Sequence, residues 1–102
     1  MKIEWTEPAL LDLDGIRDYI ARDSEYYASQ FIGRIIEAVE NLERFPEMGR
    51  LATDAGAKNI RELLFQNYRI IYRVEVERVL VLTVIHCGRD LSQKQPTPWD
   101  IV

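Results

Sequence analysis

The spacing of apolar residues changes once along this chain, at Pro46, and that change dictates what it can fold into. Before Pro46, Ala9, Leu13, Ile16 and Ile20 recur at intervals of four, three and four, the period of one helix face. Ala28, Phe31, Ile35, Leu42 and Phe45 form a second such stripe, widened by Ile32, Ile36 and Val39. Beyond Pro46 the period falls to two. Tyr68, Ile70, Tyr72 and Val74 alternate with Arg69, Ile71, Arg73 and Glu75, as on the two faces of a strand. A chain patterned in this way must lay helices against a sheet.

The boundaries are written in capping and turn residues. Lys2 to Trp5 reads as a short strand, with Ile3 and Trp5 on one face. Thr6 offers a hydroxyl N-cap, and Pro8 falls in the first turn, where a missing N–H costs nothing. The first helix is expected over residues 6–22, with Gly15 weakening it by up to about 1 kcal/mol relative to Ala. Asp23 and Ser24 break it, and Ser24 caps a second helix running to residue 45, where Pro46 stops it. The broad apolar arc of that helix predicts packing on both the first helix and a sheet. Residues 46–59 read as the one long loop.

Strands are expected over 60–65, 68–75 and 78–87, joined by hairpin-length connections at 66–67 and 75–77. The run VLVLTVI is apolar on both faces, as a central strand is. The last segment, 92–102, has two prolines and no period, and reads as a flexible or docked extension. The expectation is a single domain over 1–102, of α+β class and order β-α-α-β-β-β. A helical hairpin packs on one antiparallel-rich sheet, the first strand lies beside the last, and Ile16, Phe31, Ile35, Tyr72 and Val74 enter the core.

Charge and composition narrow the function. The 102 residues carry a formal net charge of −4. Residues 1–49 hold 5 Lys/Arg against 11 Asp/Glu, and residues 50–102 hold 8 against 6. Unaided nucleic-acid binding is disfavoured, because phosphate neutralisation supplies most of such affinity. The unevenness reads either as two solvated acidic helices before an arginine-studded sheet, or as a positive face built for an acidic partner. Cys87 is the one cysteine and His86 the one histidine, so neither a disulfide nor a structural zinc site is expected, and no cofactor is implied. The acidic N-terminus is unlike a signal peptide and no run has membrane-spanning length, which points to the cytoplasm.

Four local patterns, in order, carry a resemblance. They are the opening WTEPALLDLDGIRDYI, the helix stop LERFPEMGR (Leu42 to Arg50), the hairpin RELLFQNYRIIYRV (Arg61 to Val74) and the ending VLVLTVIHCGRDL (Val79 to Leu91). Together they resemble the RelE/ParE toxin superfamily over residues 3–91, and its ParE-like, plasmid-stabilisation branch in particular. The resemblance implies a cognate antitoxin, ParD-like or other, and contact with DNA only through the antitoxin complex. It implies one of two activities: poisoning of DNA gyrase, as in ParE-like members, or ribosome-dependent cleavage of mRNA, as in RelE-like members. A non-toxic relic that only binds its antitoxin is the third reading.

Metal-independent RNA cleavage needs a base for the 2′-OH, a cation for the phosphorane and an acid for the leaving oxygen. His86 is the candidate base or acid, and Arg61, Arg69 and Arg89 are the candidate cations, with Arg73 on the same face as Arg69. Each has a structural alternative. Arg69 and Arg73 can lie along an exposed sheet face, and His86 can order the Gly88 turn. Cys87 reads as a small buried hydrophobe, and Tyr19, Tyr26 and Tyr27 as packing residues. RelE-like nucleases are basic, carry lysines in the loop before the sheet and place a tyrosine beyond the last strand. Here that loop has Lys58 alone, and no tyrosine follows Tyr72. The balance favours a gyrase poison with no catalytic residues. Its target surface is then expected around Arg73, His86, Arg89 and Trp99, although Trp99 can equally dock on its own domain. The antitoxin surface is expected around Leu10, Leu11, Arg61 and Arg69, since both leucines lie outside the stripe of the first helix.

Overall fold

Hydroxyl caps start both helices where the sequence places them. In the computed structural model, which describes residues 1–56 and 59–88, the Thr6 hydroxyl accepts from the Ala9 N–H and opens α1 (Glu7–Ala21). The Ser24 hydroxyl accepts from the Tyr27 N–H at 3.1 Å and opens α2 (Glu25–Glu40). Five strands follow the expected order with one addition: β1 (Lys2–Trp5), β2 (Arg50–Leu51), β3 (Ile60–Phe65), β4 (Tyr68–Val74) and β5 (Arg78–His86). They form one sheet in the order β1-β5-β4-β3-β2. β1 runs parallel to β5, and the other pairings are antiparallel. The fold is the predicted α+β arrangement of a helical hairpin on a mixed sheet.

Three expectations need correction. α2 stops at Glu40, not residue 45, because the chain tightens there into a 3-10 turn over Asn41–Glu43, and Phe45 leaves the stripe to become exposed. Residues 46–59 are not featureless, since two of them pair with β3 as β2, and Thr53–Ala55 make a second 3-10 turn. Phe31, Ile35 and Tyr72 are buried as expected, but Ile16 and Val74 are only half-buried at the margin of the core.

β5 lies inside the sheet and is buried on both faces. Val79, Val81 and Val84 join the helix-side core with Leu13, Ile35 and Val39. Leu80, Leu82 and Ile85 join a second cluster with Ile60, Ile71, Ala52 and Ala55. The register slips between Ile71, opposite Thr83, and Tyr72, opposite Val81, leaving Leu82 as an extra residue on β5. β1 ends opposite Val81, so the edge of β5 beyond it needs other partners. The Thr6 hydroxyl is within hydrogen-bonding distance of the Val81 and Leu82 carbonyls. Asp12 of α1 accepts from the Val84 N–H at 3.0 Å and from the Thr83 hydroxyl.

The crossing from helices to sheet is fixed by Tyr72. Its hydroxyl donates to the Pro46 carbonyl at 2.8 Å and accepts from the Gly49 N–H at 2.9 Å. Burial pushes the phenol above its ordinary value, and the Gly49 N–H works against that shift. Gly49 has no room for a side chain: a Cβ would stand 2.5 Å from the Glu62 carbonyl oxygen and 2.6 Å from the Tyr72 hydroxyl. Tyr72→Phe should therefore lower stability by about 1–3 kcal/mol, leaving a buried N–H unmet. Gly49→Ala should cost at least as much, because backbone must move. Urea unfolding midpoints check both, and a neutral Gly49→Ala would contradict the packing described.

Candidate functional site

A two-residue hairpin builds the central polar cluster. Residues 66 and 67 turn the chain, with Gln66 at φ 51°, so that Phe65 pairs with Tyr68, Leu64 with Arg69 and Glu62 with Ile71. Glu62 and Arg69 thus become diagonal neighbours on one face. The Arg69 guanidinium donates from Nε and Nη2 to Glu62 Oε1 at 3.0 and 2.8 Å. It also makes a two-pronged pair with Asp54, Nη1 to Oδ2 at 3.0 Å and Nη2 to Oδ1 at 2.7 Å. Arg50 closes the other oxygen of Glu62 at 3.0 Å. Arg69 and Glu62 retain only 8% and 5% of their exposure. Hydrogen bonding to Asp54 raises the Arg69 pKa further, against the effect of burial, and Glu62 adds to the rise. Arg69 is thus a buried cation held between two carboxylates, not a side chain lying along an open face.

The other sequence candidates disperse. Arg61 is opposite Tyr72 and donates to the Gly49 carbonyl at 2.8 Å. Arg73 pairs with Glu75 at 2.8 Å, and Arg78 links Glu75 to Glu4 across the sheet. His86 pairs with Tyr68, and the two rings meet edge-on at 5.8 Å between centroids. Cross-strand partners share a face, so His86 lies on the Tyr68 side, whereas Arg69, the next residue along β4, points to the opposite side. The candidate base or acid His86 and the candidate cation Arg69 therefore lie on opposite faces of the sheet. His86 Nδ1 accepts from the Gly88 N–H at 3.3 Å, ordering that turn. Arg89 and Trp99 lie outside the described residues.

Exposure agrees with expectation at some positions and departs from it at others. Leu10 and Leu11 are exposed, as their places off the stripe predict. Cys87 is exposed rather than buried. Tyr19, Tyr26 and Tyr27 are exposed too, although Tyr27 keeps an edge contact with Phe31 at 6.3 Å. The ion cluster around Arg69 was missed, although the symmetric pairing across residues 66–67 could have revealed its Glu62–Arg69 half. Asp54 carries no comparable signal, because its placement depends on a turn with no periodicity. Among the described residues no three His, Cys, Asp or Glu side chains gather as a metal site, and no helix is long and apolar enough to cross a membrane.

The architecture is that of the RelE/ParE toxins. The chain superposes on one from the chromosomal ParDE toxin–antitoxin system of P. aeruginosa with a TM-score of 0.72, at 24% identity, covering 84% of this chain and 95% of that one. It superposes on one from the toxin–antitoxin complex RelBE2 of Mycobacterium tuberculosis with a TM-score of 0.62, at 22% identity, over 83% and 95%. In sequence it is 37% identical over 89 residues to Toxin RelE2 of Caulobacter vibrioides, spanning 86% of this chain and 97% of the relative. It is 36% identical over 94 residues to the protein named Putative toxin Y4kP in Sinorhizobium fredii, spanning 90% and 94%. Residues 3–91 match the family described as "ParE toxin of type II toxin-antitoxin system, parDE". The chain belongs to that family.

Two outcomes follow from the charges. Arg69→Met leaves the buried Glu62 facing only Arg50 and should cost about 3–5 kcal/mol. Adding Glu62→Leu should restore much of that loss in denaturation experiments, and no recovery would argue against a buried pair. Arg78 first, aided by Lys2 for Glu4 and by Arg73 for Glu75, holds both carboxyls below the ordinary 4.5. Their contribution to stability is therefore complete above pH 4.5 and is lost as pH falls through the lowered values. Glu75→Gln should make the acid limb of the stability profile shallower, and an unchanged limb would contradict the pairing.

Proposed function

We propose that this protein is the toxin of a two-protein system, that a cognate antitoxin neutralises it, and that it poisons DNA gyrase without cleaving RNA. The observation that carries the choice of target is the state of Arg69. A cation that stabilises a phosphorane must present open donors to phosphate oxygens. Here Asp54 and Glu62 engage the donors of Arg69, and His86 stands on the other side of the sheet. The net charge of −4 and the solitary Lys58 before the sheet support the same reading, since mRNA on a ribosome sits among phosphates. A gyrase poison meets a protein surface and needs no such field.

In this reading the working part is a surface formed by Arg73, His86, Arg89 and Trp99, and no metal or cofactor takes part. The antitoxin covers Leu10, Leu11 and the neighbourhood of Arg61, with Arg69 contributing through the loop it fastens. The protein acts in the cytoplasm and meets DNA through gyrase or the antitoxin complex. The P. aeruginosa and M. tuberculosis neighbours both come from toxin–antitoxin assemblies, which supports the partner. The name of the Caulobacter relative, Toxin RelE2, favours a second reading as a ribosome-dependent mRNA endonuclease.

The purified protein should inhibit supercoiling by gyrase and accumulate cleaved plasmid, while leaving mRNA intact in a translating extract. His86→Ala should change potency far less than the ~100-fold expected for loss of a general base. Cleavage of ribosome-bound mRNA at defined codon positions, abolished by Arg69→Ala or His86→Ala, would move the protein to the second reading.

A further inference from the structure

α1 carries an outward stripe that the described residues leave uncovered. Leu11, Gly15 and Tyr19 follow one another at intervals of four residues, and all three are exposed. Leu11 keeps 60% of its exposure and Tyr19 65%. Between them, Gly15 occupies a helix interior, where only proline is a poorer choice. Among the described residues nothing requires glycine there, since a Cβ would meet none of their atoms within 4 Å and the residue lacks a positive φ. The helix therefore bears a weakening residue, flanked by two large exposed side chains, that no packing among the described residues calls for.

Charge says what the stripe suits. Asp14 and Asp18 lie beside Gly15 on the same outer surface, and Glu7 lies one turn before Leu11. Among the described residues neither Glu7 nor Asp14 has a cationic partner, while Arg17 is shared between Asp18 at 3.7 Å and Glu25 at 3.4 Å. The remaining nearby cation, Arg22, lies over the Tyr19 ring at 5.7 Å. The seam is thus apolar along its floor, open at its centre and acidic along one rim.

We propose that this face of α1 is the docking seam for an amphipathic helix of the antitoxin, packed close over Gly15 between Leu11 and Tyr19, with Lys or Arg side chains along the rim of Glu7, Asp14 and Asp18. The inference rests on the antitoxin reading and adds the chemistry and position of the partner segment. Gly15 lets the two helix backbones approach, and the acidic rim sets the sign of the partner.

The test uses the full chain and the full-length protein encoded by the adjacent reading frame, with affinity measured by calorimetry and stability by thermal unfolding. Gly15→Ala should raise the melting temperature. Gly15→Arg should leave the domain folded, with a melting temperature no lower than wild type, and weaken the complex at least tenfold. Asp14→Lys should weaken it as well, whereas Glu37→Arg, an equal charge change on α2, should not. If Gly15→Arg and Asp14→Lys bind as wild type does, the seam is refuted and the antitoxin reading stands. If the wild-type chain fails to bind its neighbour, both fall.

Discussion

Burial of β5 on both faces is the constraint from which the rest of the structure follows. Seven consecutive residues, Val79 to Ile85, are buried, and such a strand needs cover above, cover below and a neighbour along each edge. β4 supplies one edge by hairpin pairing. β1 supplies the other in parallel, but with four residues against nine it runs out at Val81. α1 begins there, and Thr6 and Asp12 take over the hydrogen bonding that β1 cannot reach. The start of α1 is thereby tied to the edge of the sheet, and the short turn at Arg22 to Ser24 returns α2 across the same face. The helical hairpin sits over the sheet because the unfinished edge of β5 anchors its first turns.

The opposite face solves its packing differently. Ile60, Ile71, Leu80, Leu82 and Ile85 form an apolar patch, with Ala52 and Ala55 from the β2–β3 connection packed into it. Beside it stand Glu62 and Arg69, groups that are costly to bury unless paired. Asp54, on the same connection as the two alanines, completes the pairing. The segment that covers apolar residues thus also brings the carboxylate that neutralises the guanidinium. Arg69 is thereby part of the fastening of that segment to the sheet.

Much of this was legible in the sequence because it depends on local patterns. Thr6, Ser24 and the alternation through Tyr68–Val74 report directly on caps and faces, and VLVLTVI announces a strand buried on both sides. The bounds that slipped did so where tertiary context overrides propensity. Phe45 has the right period for α2 but lies beyond a 3-10 turn, and Val74 has the right alternation but sits at the end of its strand. Cys87 and the three tyrosines of the helical turn were misread because residue type alone gives an average burial, not the burial of a hairpin tip or a strand end. The site was less legible than the fold. Period two separates Arg69 from its neighbours on β4, but no sequence pattern says that Asp54 will fold back to meet it. Nor did Gly15 declare itself, since a glycine in a helix reads as weakness until the space beyond it is seen.

Asp54 and Glu62 hold the Arg69 guanidinium within the domain, and the proposed target depends on that hold outcompeting phosphate. The most direct measurement is nuclear magnetic resonance of the Arg69 side-chain Nε–H, observed alone and with a single-stranded RNA oligonucleotide added in excess. A guanidinium so held gives a resonance protected from solvent exchange, sensitive to Glu62→Gln, and unmoved by RNA. A rapidly exchanging Nε–H that shifts on adding RNA would show an open guanidinium and contradict its commitment to Asp54 and Glu62.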